Sequence, residues 1–312
     1  MIRWRELAND WQARLLAANN GHEIAPGVTL HFASEEIGGF PFNLDAIFDK
    51  NVISVQSTRG SFSLASEHFA IHALTYGRDQ QVMEAAGLQT LTWTDAVGGT
   101  HRFDFVPGSL HASAIENDGR LVRFDLDLTA LQSSSLIAGR AQFHLRAAPD
   151  RNALDFVIRA DDIRTPLARA AVLPLLTIAG RMIPAAPLSP LLSGHDAWRH
   201  ALGDWRSKDG VMRLDDVDIE WGASHLTASG ALAIDAANRL SGKVKMQLSD
   251  AQQWEPTRLV EIPFTAALQE TARVAPQEAQ SPLPLTLDIH NGATIVFARG
   301  VSRSAGSIDS LF

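Results

Sequence analysis

The sequence predicts a mainly β fold, a long antiparallel meander curled into a groove, half-barrel or sandwich, with an N-terminal helix and a helical insert. Apolar and polar residues alternate through most of the chain, the pattern of strands with one buried and one wet face. Residues 211–250 show it best: Val217, Ile219 and Trp221, then Leu226, Ala228, Leu232 and Ile234, then Val244, Met246 and Leu248 fall on apolar faces, with Thr227, Ser229, Lys243, Lys245 and Gln247 between them. Turn formers punctuate the runs at Asn117-Asp118-Gly119, Pro149-Asp150 and Asn291-Gly292. Helical spacing is confined to a few short stretches.

Taken in order, residues 1–24 hold an amphipathic helix with Trp4, Leu7, Ala8, Trp11, Leu15 and Leu16 at helical spacing, stopped by Asn19-Asn20-Gly21. Residues 25–164 form a first antiparallel region. Phe40, Phe42, Leu44, Ala46 and Phe48 read as one strand face, and Phe62 with Leu64 and Phe69 with Ile71 as others. Val122, Phe124, Leu126 and Leu128 alternate with Arg123, Asp125, Asp127 and Thr129; Phe143 with Leu145 and Phe156 with Ile158 answer them. Residues 165–209 are the predicted helical insert or lid. Thr165-Pro166 is a helix start, Leu167–Ile178 reads as a helix kinked at Pro174, and a second helix over Asp196–Arg206 carries Trp198, Ala201, Leu202 and Trp205 on one stripe. Residues 210–312 form a second β region, continuous with the first. A phase slip at Asp215-Asp216 predicts a bulge. Leu259–Arg273 reads as a helix interrupted at Pro263, Ala275–Pro284 as a loop, Leu285–Phe297 as a hairpin and Ser302–Ser310 as a frayed tail.

With 312 residues the chain has ample material for a core. Its formal charge of −8, scattered arginines and single tyrosine argue against a nucleic-acid partner. The absence of cysteine excludes disulfides, thiolate catalysis and Cys-ligated zinc. Met1 leads into a charged amphipathic segment rather than a leader's apolar core, so the expectation is either a cytosolic protein or one that starts after a removed leader or anchor. No run of about 18 apolar residues exists to span a bilayer as a helix.

Chemistry-bearing residues are few and poorly arranged. His68 and His72 lie four apart, which suits a metal on a helix, but the alternation around Phe69 and Ile71 makes this a strand with solvent-facing histidines. Ser193-Gly194-His195-Asp196 holds triad residue types without triad geometry, and Ser193 reads as a turn residue or cap. Asp161-Asp162 and Asp215-Asp216 are neighbours that point to opposite faces of a strand, so they read as turn or bulge residues. No catalytic residue, metal site or cofactor is expected.

Gly39-Phe40-Pro41-Phe42, the preceding helix, the run Trp221-Gly222 through Gly230, Leu232, Asp235, Leu240 and Gly242, and the closing HNGATIVFARG resemble the domain of unknown function 2125 family of bacterial, mainly alphaproteobacterial, periplasmic proteins. The resemblance spans residues 4 to 300. It implies a protein facing the periplasm and held at the inner membrane by an N-terminal apolar helix, which is absent before Arg3 here. It brings no catalytic residues.

Function then turns on what covers the apolar faces. The leading expectation is a non-enzymatic periplasmic protein that binds or transports a lipid or other hydrophobic small molecule. Phe40, Phe42, Phe62, Phe124, Leu126, Phe143, Phe156 and Trp221 would line an apolar β-groove. Leu173, Leu175, Leu176, Ile178, Ile183 and Leu191 would form a lid or inner-membrane contact. An envelope-assembly scaffold with closed sheets, binding through a strand edge or the Trp198/Trp205 helix to a protein partner the sequence does not name, is the alternative. A hydrolase assembled from distant residues is the third reading.

Overall fold

The computed structural model describes residues 2–57, 60–75, 80–94, 99–118, 120–149, 152–166, 173–192, 194–249, 282–298 and 301–307. The protein is mainly β, its strands paired antiparallel, with an N-terminal helix and a small helical insert. It divides into two compact units, Met1–Ser134 with Leu188–Ala201, and Ser135–Pro187 with Leu202–Phe312.

In the first unit α1 (Ile2–Asn19) precedes β1 (Val28–His31), β2 (Ser34–Gly38), β3 (Asn43–Ser57), β4 (Gly60–Leu74), β5 (Gln80–Thr94), β6 (Thr100–Val106), β7 (Ser109–Asn117) and β8 (Arg120–Ser133). Three long strands, β3, β4 and β5, run side by side. Short strands share their flanks: β2 and β1 pair with successive halves of β3, and β7 and β6 with successive halves of β5. A line of irregularities crosses this ladder at its middle. Lys50 has φ 50°, the β4–β5 register shifts between Ser66 and His68, Gly87 has φ 73° and Ala130 in β8 has φ 47°. Positive φ and a register shift are the marks of β-bulges, which interrupt the alternation of a strand. Below that line Leu44, Ala46 and Phe48 face inward; above it Asn51, Ile53 and Val55 do. The α1 stripe Trp11, Leu15 and Ala18 packs with Leu30, Phe32, Ala46, Phe48 and Ile53. Asn19 ties the helix end to β1, its Oδ1 accepting the Phe32 N–H at 2.9 Å.

The second unit is a meander in which each strand pairs with the next: β9 (Ile137–Ala147), β10 (Leu154–Ile163), β11 (Leu173–Ile183), β12 (Val211–Trp221), β13 (Ser224–Ile234), β14 (Leu240–Ser249), β15 (Leu283–His290), β16 (Ala293–Ala298) and β17 (Val301–Ser307). Its core joins Leu226, Leu232, Val244, Met246, Leu248, Leu285, Ile289 and Val296. The predicted slip at Asp215-Asp216 is present as register shifts on both sides of β12. Asn291 and Gly292, with φ 53° and 80°, make the two-residue turn their sequence predicts. The insert contains α2 (Ser189–Leu192) and α3 (Trp198–Ser207). Trp205 on α3 is buried.

Three expectations need correction. Leu173–Ile183 is not helix but β11, a strand bonded on both sides, to β10 and to β12. A continuous apolar run is equally compatible with a buried strand, and Pro174 sits where it need not donate to β12, whose pairing begins at Leu175↔Glu220. The helical insert therefore shrinks to residues 186–207. Second, Phe40 and Phe42 precede β3 on an exposed loop, because Pro41 lacks an N–H and Gly39 turns the chain at φ 90°. Third, the tail is ordered into β17 through Ser307 rather than frayed from Ser302. The predicted helix over Leu259–Arg273 lies outside the described residues.

One turn in the second unit carries a pH dependence. Burial pulls the Asp235 carboxyl upward, but the Arg239 backbone N–H and guanidinium and the Ala237 N–H outweigh it and hold the group below its usual 3.8. Its Oδ1 accepts the N–H groups of Ala237 and Arg239 at 2.8 and 2.9 Å, and its Oδ2 accepts from Arg239 Nε at 3.0 Å. A depressed carboxylate contributes stability that is present above the unfolded value and is lost as pH falls through the folded one. Asp235→Asn should therefore flatten the decline in melting temperature below about pH 4 relative to wild type. Parallel acid melts of the two proteins read this out, and identical slopes would remove the assignment.

Candidate functional site

Register places the candidate site on the apolar face of the first unit. Reading across β3, β4, β5 and β6, that face is built of rows. The outermost is Val55, Phe62, Trp93 and His101, the next Ile53, Leu64, Leu91 and Phe103, the third Asn51, Ser66, Gln89 and Phe105. Past the line of bulges, Phe48, Phe69, Ala85 and Leu110 continue it, followed by Ala46, Ile71, Met83 and Ala112. The two sides of the line differ in access. Phe48 is sealed, with its ring centroid 5.2 Å from Phe32 and 6.1 Å from Phe69. Phe62 and Trp93 stay 45% and 37% exposed, and Ile53, Leu64, Leu91 and Phe103 are half-buried. Trp93 stacks on His101 at 5.2 Å, and Phe103 on Phe105 at 5.5 Å. These rings form an accessible strip of aromatic and branched side chains.

The third row is polar yet buried: Asn51 is 1% exposed, Ser66 3% and Gln89 0%. Gln89 Nε2 donates to the Ala86 and Gly87 carbonyls at 3.1 and 3.3 Å. Its Oε1, both amide atoms of Asn51 and Ser66 Oγ have no partner.

The opposite, wet face of β3, β4, β5 and β6 carries charged pairs. Asp49 Oδ1 hydrogen-bonds His68 Nδ1 and Asp45 Oδ1 hydrogen-bonds His72 Nδ1, both at 2.9 Å. Asp104 takes Thr90 Oγ1 at 2.7 Å and Arg102 Nε at 2.9 Å. The His68 and then the Ser34 hydrogen bonds hold Asp49 below the usual carboxylate range, and Arg102 and then Thr90 do the same for Asp104. Among the described residues no group of three or more metal-ligating side chains could hold an ion. Asp196 is occupied at the start of α3, its Oδ1 accepting the Ala197 N–H at 2.7 Å and its Oδ2 bonded to His200 at 2.6 Å. Ser193 lies outside the described residues. Asp162, at φ 53°, is a backbone irregularity in β10.

The sequence-predicted residues are thus distributed rather than assembled. Phe62, Phe124 and Leu126 belong to the first unit's strands, Phe62 on the accessible strip and the other two on β8. Phe143, Phe156 and Trp221 belong to the second unit, where Phe156 is buried over Gly180 and Trp221 packs beside the core. Leu176 and Ile178 pair with Ile219 and Val217, whereas Leu173, Leu175 and Ile183 occupy the alternate positions of β11 and Leu191 is on α2. A strand held in two ladders is no hinged lid. Phe40 and Phe42 sit on a loop pinned by Asn43 N–H to Gly39 C=O at 2.9 Å, Thr75 Oγ1 to Phe42 C=O at 2.8 Å and Trp4 Nε1 to Asn43 C=O at 2.7 Å. Sequence reading missed Trp93 as the partner of Phe62 and Phe103 as a member of the same strip, and missed the Asn51, Ser66 and Gln89 row altogether. The available signal was the phase slip between Phe48 and Ile53.

A family model described as "Uncharacterized protein conserved in bacteria (DUF2125)" matches residues 4–297, nearly the whole chain. The chain belongs to the DUF2125 family. No curated protein and no solved structure matches it. In this DUF2125 protein the stretches that carried the sequence resemblance are places where the backbone is constrained. Gly39 and Gly222 have φ 90° and 58°, and Gly230 and Gly242 admit a neighbouring strand's backbone where a Cβ would collide. The Phe40-Pro41-Phe42 rings stand on the pinned loop described above. Among its described residues no helix is long and apolar enough to cross a membrane.

Proposed function

We propose that this DUF2125 protein is a non-enzymatic periplasmic protein, associated with the inner membrane, that binds and transports a lipid or similar hydrophobic molecule. The observation that carries the reading is the half-exposed strip Phe62, Trp93, Leu64, Leu91 and Phe103, which leaves large apolar side chains open to solvent on one continuous face. Such a surface is costly unless something apolar occupies it, and an acyl chain gains about 0.8 kcal/mol per buried methylene. The charged groups of the opposite face keep the molecule soluble around that cargo. Organic extraction of purified protein followed by mass spectrometry, with uptake of a fluorescent fatty acyl probe, tests it. Co-purified lipid and saturable uptake reduced by Phe62→Ser are expected; a clean extract with no uptake would remove the reading.

One observation favours the interaction-scaffold alternative: the pinned loop that displays exposed Phe40 and Phe42. Under that reading Phe40→Ser would abolish capture of a defined envelope protein while lipid uptake stays absent.

A further inference from the structure

The buried polar row deepens the lipid reading and rests on it. We propose that Asn51, Ser66 and Gln89 recognise an uncharged group that both donates and accepts hydrogen bonds, an amide or hydroxyl, carried by the amphiphile whose chain lies along Ile53, Leu64 and Leu91.

The three side chains are direct neighbours in register on consecutive strands, Asn51 opposite Ser66 and Ser66 opposite Gln89. All three are more than nine-tenths buried. Four of their polar atoms, Asn51 Oδ1 and Nδ2, Ser66 Oγ and Gln89 Oε1, lack partners. Leaving buried polar atoms unpaired is expensive, and apolar residues of similar volume would serve packing better. Three such positions in one row, on a face built mainly of aliphatic and aromatic side chains, mark a place where stability is conceded to another requirement.

Position supports recognition. The row lies at the inner end of the accessible strip and directly before the sealed Phe48, against which the half-buried Phe69 packs. Two strand positions separate it from Leu64 and Leu91, and four from Phe62 and Trp93, about 13 Å of strand in all. A chain laid on the strip would bring its functional group to the row.

The chemistry of the row selects the group. Gln89 spends its N–H donors on the Ala86 and Gly87 carbonyls, which leaves its Oε1 as an acceptor. Asn51 offers a donor and an acceptor, and Ser66 a hydroxyl that is both. None is charged. The flanking Lys50 and Glu67 are exposed, and Glu67 Oε2 accepts the Leu88 N–H at 3.1 Å. Among the described residues, none that neighbours this row in register is a cation, so a carboxylate or phosphate buried here would carry a heavy penalty. A neutral group with both donor and acceptor capacity meets every orphaned atom.

The test is displacement of a fluorescent acyl probe by a monoacylglycerol, a primary fatty amide, the fatty acid anion and the alkane, all of one chain length. Wild type should be displaced by the monoacylglycerol or amide roughly tenfold more strongly than by the anion or alkane, the weight of about 1.4 kcal/mol. In the double variant Asn51→Leu with Gln89→Met that preference should vanish while the alkane still competes, and the melting temperature should hold or rise. Ser66→Ala, which adds no volume, should lower the preference partially and keeps the test decisive where the double variant folds poorly. Preference for the anion in wild type, or an unchanged preference in the variants, overturns the inference and leaves the lipid reading standing. No probe uptake by wild type overturns both.

Discussion

Gly242→Ala is expected to destabilise the protein by about 3–5 kcal/mol, because two penalties fall on one position, backbone strain and overpacking. Gly242 has φ 147°, a conformation that L side chains rarely adopt. A Cβ built there would meet the Ala231 carbonyl oxygen at 2.1 Å and Leu232 Cα at 3.0 Å. Both are backbone atoms of β13, so relief requires the β13–β14 pairing to move. That pairing is interlocked, since a Cβ built on Gly230 of β13 would in turn meet the Lys243 carbonyl oxygen at 2.3 Å and Val244 Cα at 2.7 Å. Shifting it would displace Leu232, Val244 and Ile289 from the core. Two other glycines serve as controls. Gly38→Ala meets nothing within 4 Å and should leave the urea midpoint unchanged. Gly203→Ala, in the open middle of α3, should raise stability by about 0.5–1 kcal/mol. A Gly242→Ala midpoint equal to that of Gly38→Ala would show that β13 and β14 yield freely, and the glycine would lose its structural reason.

How far the fold could be read from the sequence depended on which physical signal each element carries. β8, β13 and β14 alternate cleanly and are legible to within a few residues of their ends, because a one-sided core imposes period two. The Asn291-Gly292 turn was legible because few other pairs accept positive φ twice. β11 was not, since a strand in an apolar environment alternates little: Leu175, Leu176, Ile178 and Ile183 look the same whether they coil or extend. The candidate site failed for a different reason. Phe40 and Phe62 carry similar alternation, yet only register tells that Phe62 joins Trp93 and that Phe40 leaves the sheet at Pro41. The polar row was hidden by the positive φ at Lys50, which turns Asn51 to the side that Phe48 faces. Strict alternation would have placed Asn51 with the solvent-facing Asp45 and Asp49.

Phe48→Ala and Phe62→Ala, the same change on the same face three rows apart, are expected to have opposite consequences. Phe48 is 0% exposed and touches the rings of Phe32 and Phe69 in a cluster that also holds Leu30, Ala46 and the α1 residues Trp11, Leu15 and Ala18. Truncation there leaves a cavity between a helix and a strand that cannot both close in, so the cost should be about 3–5 kcal/mol. The α1 packing depends on that ring, and a protease should cut more readily in the linker at residues 20–27. Phe48→Leu, which refills most of the volume, should recover much of the loss. Phe62, at 45% exposure, has little burial to lose, and its truncation should stay within about 1 kcal/mol. Its effect belongs instead in probe uptake, which Phe48→Leu should leave near wild type. Urea melts and uptake measured on the three variants separate the sealed part of the face from the open part. Equal destabilisation by the two alanines would mean that the face is closed along its whole length, and a chain-shaped ligand would have nowhere to lie.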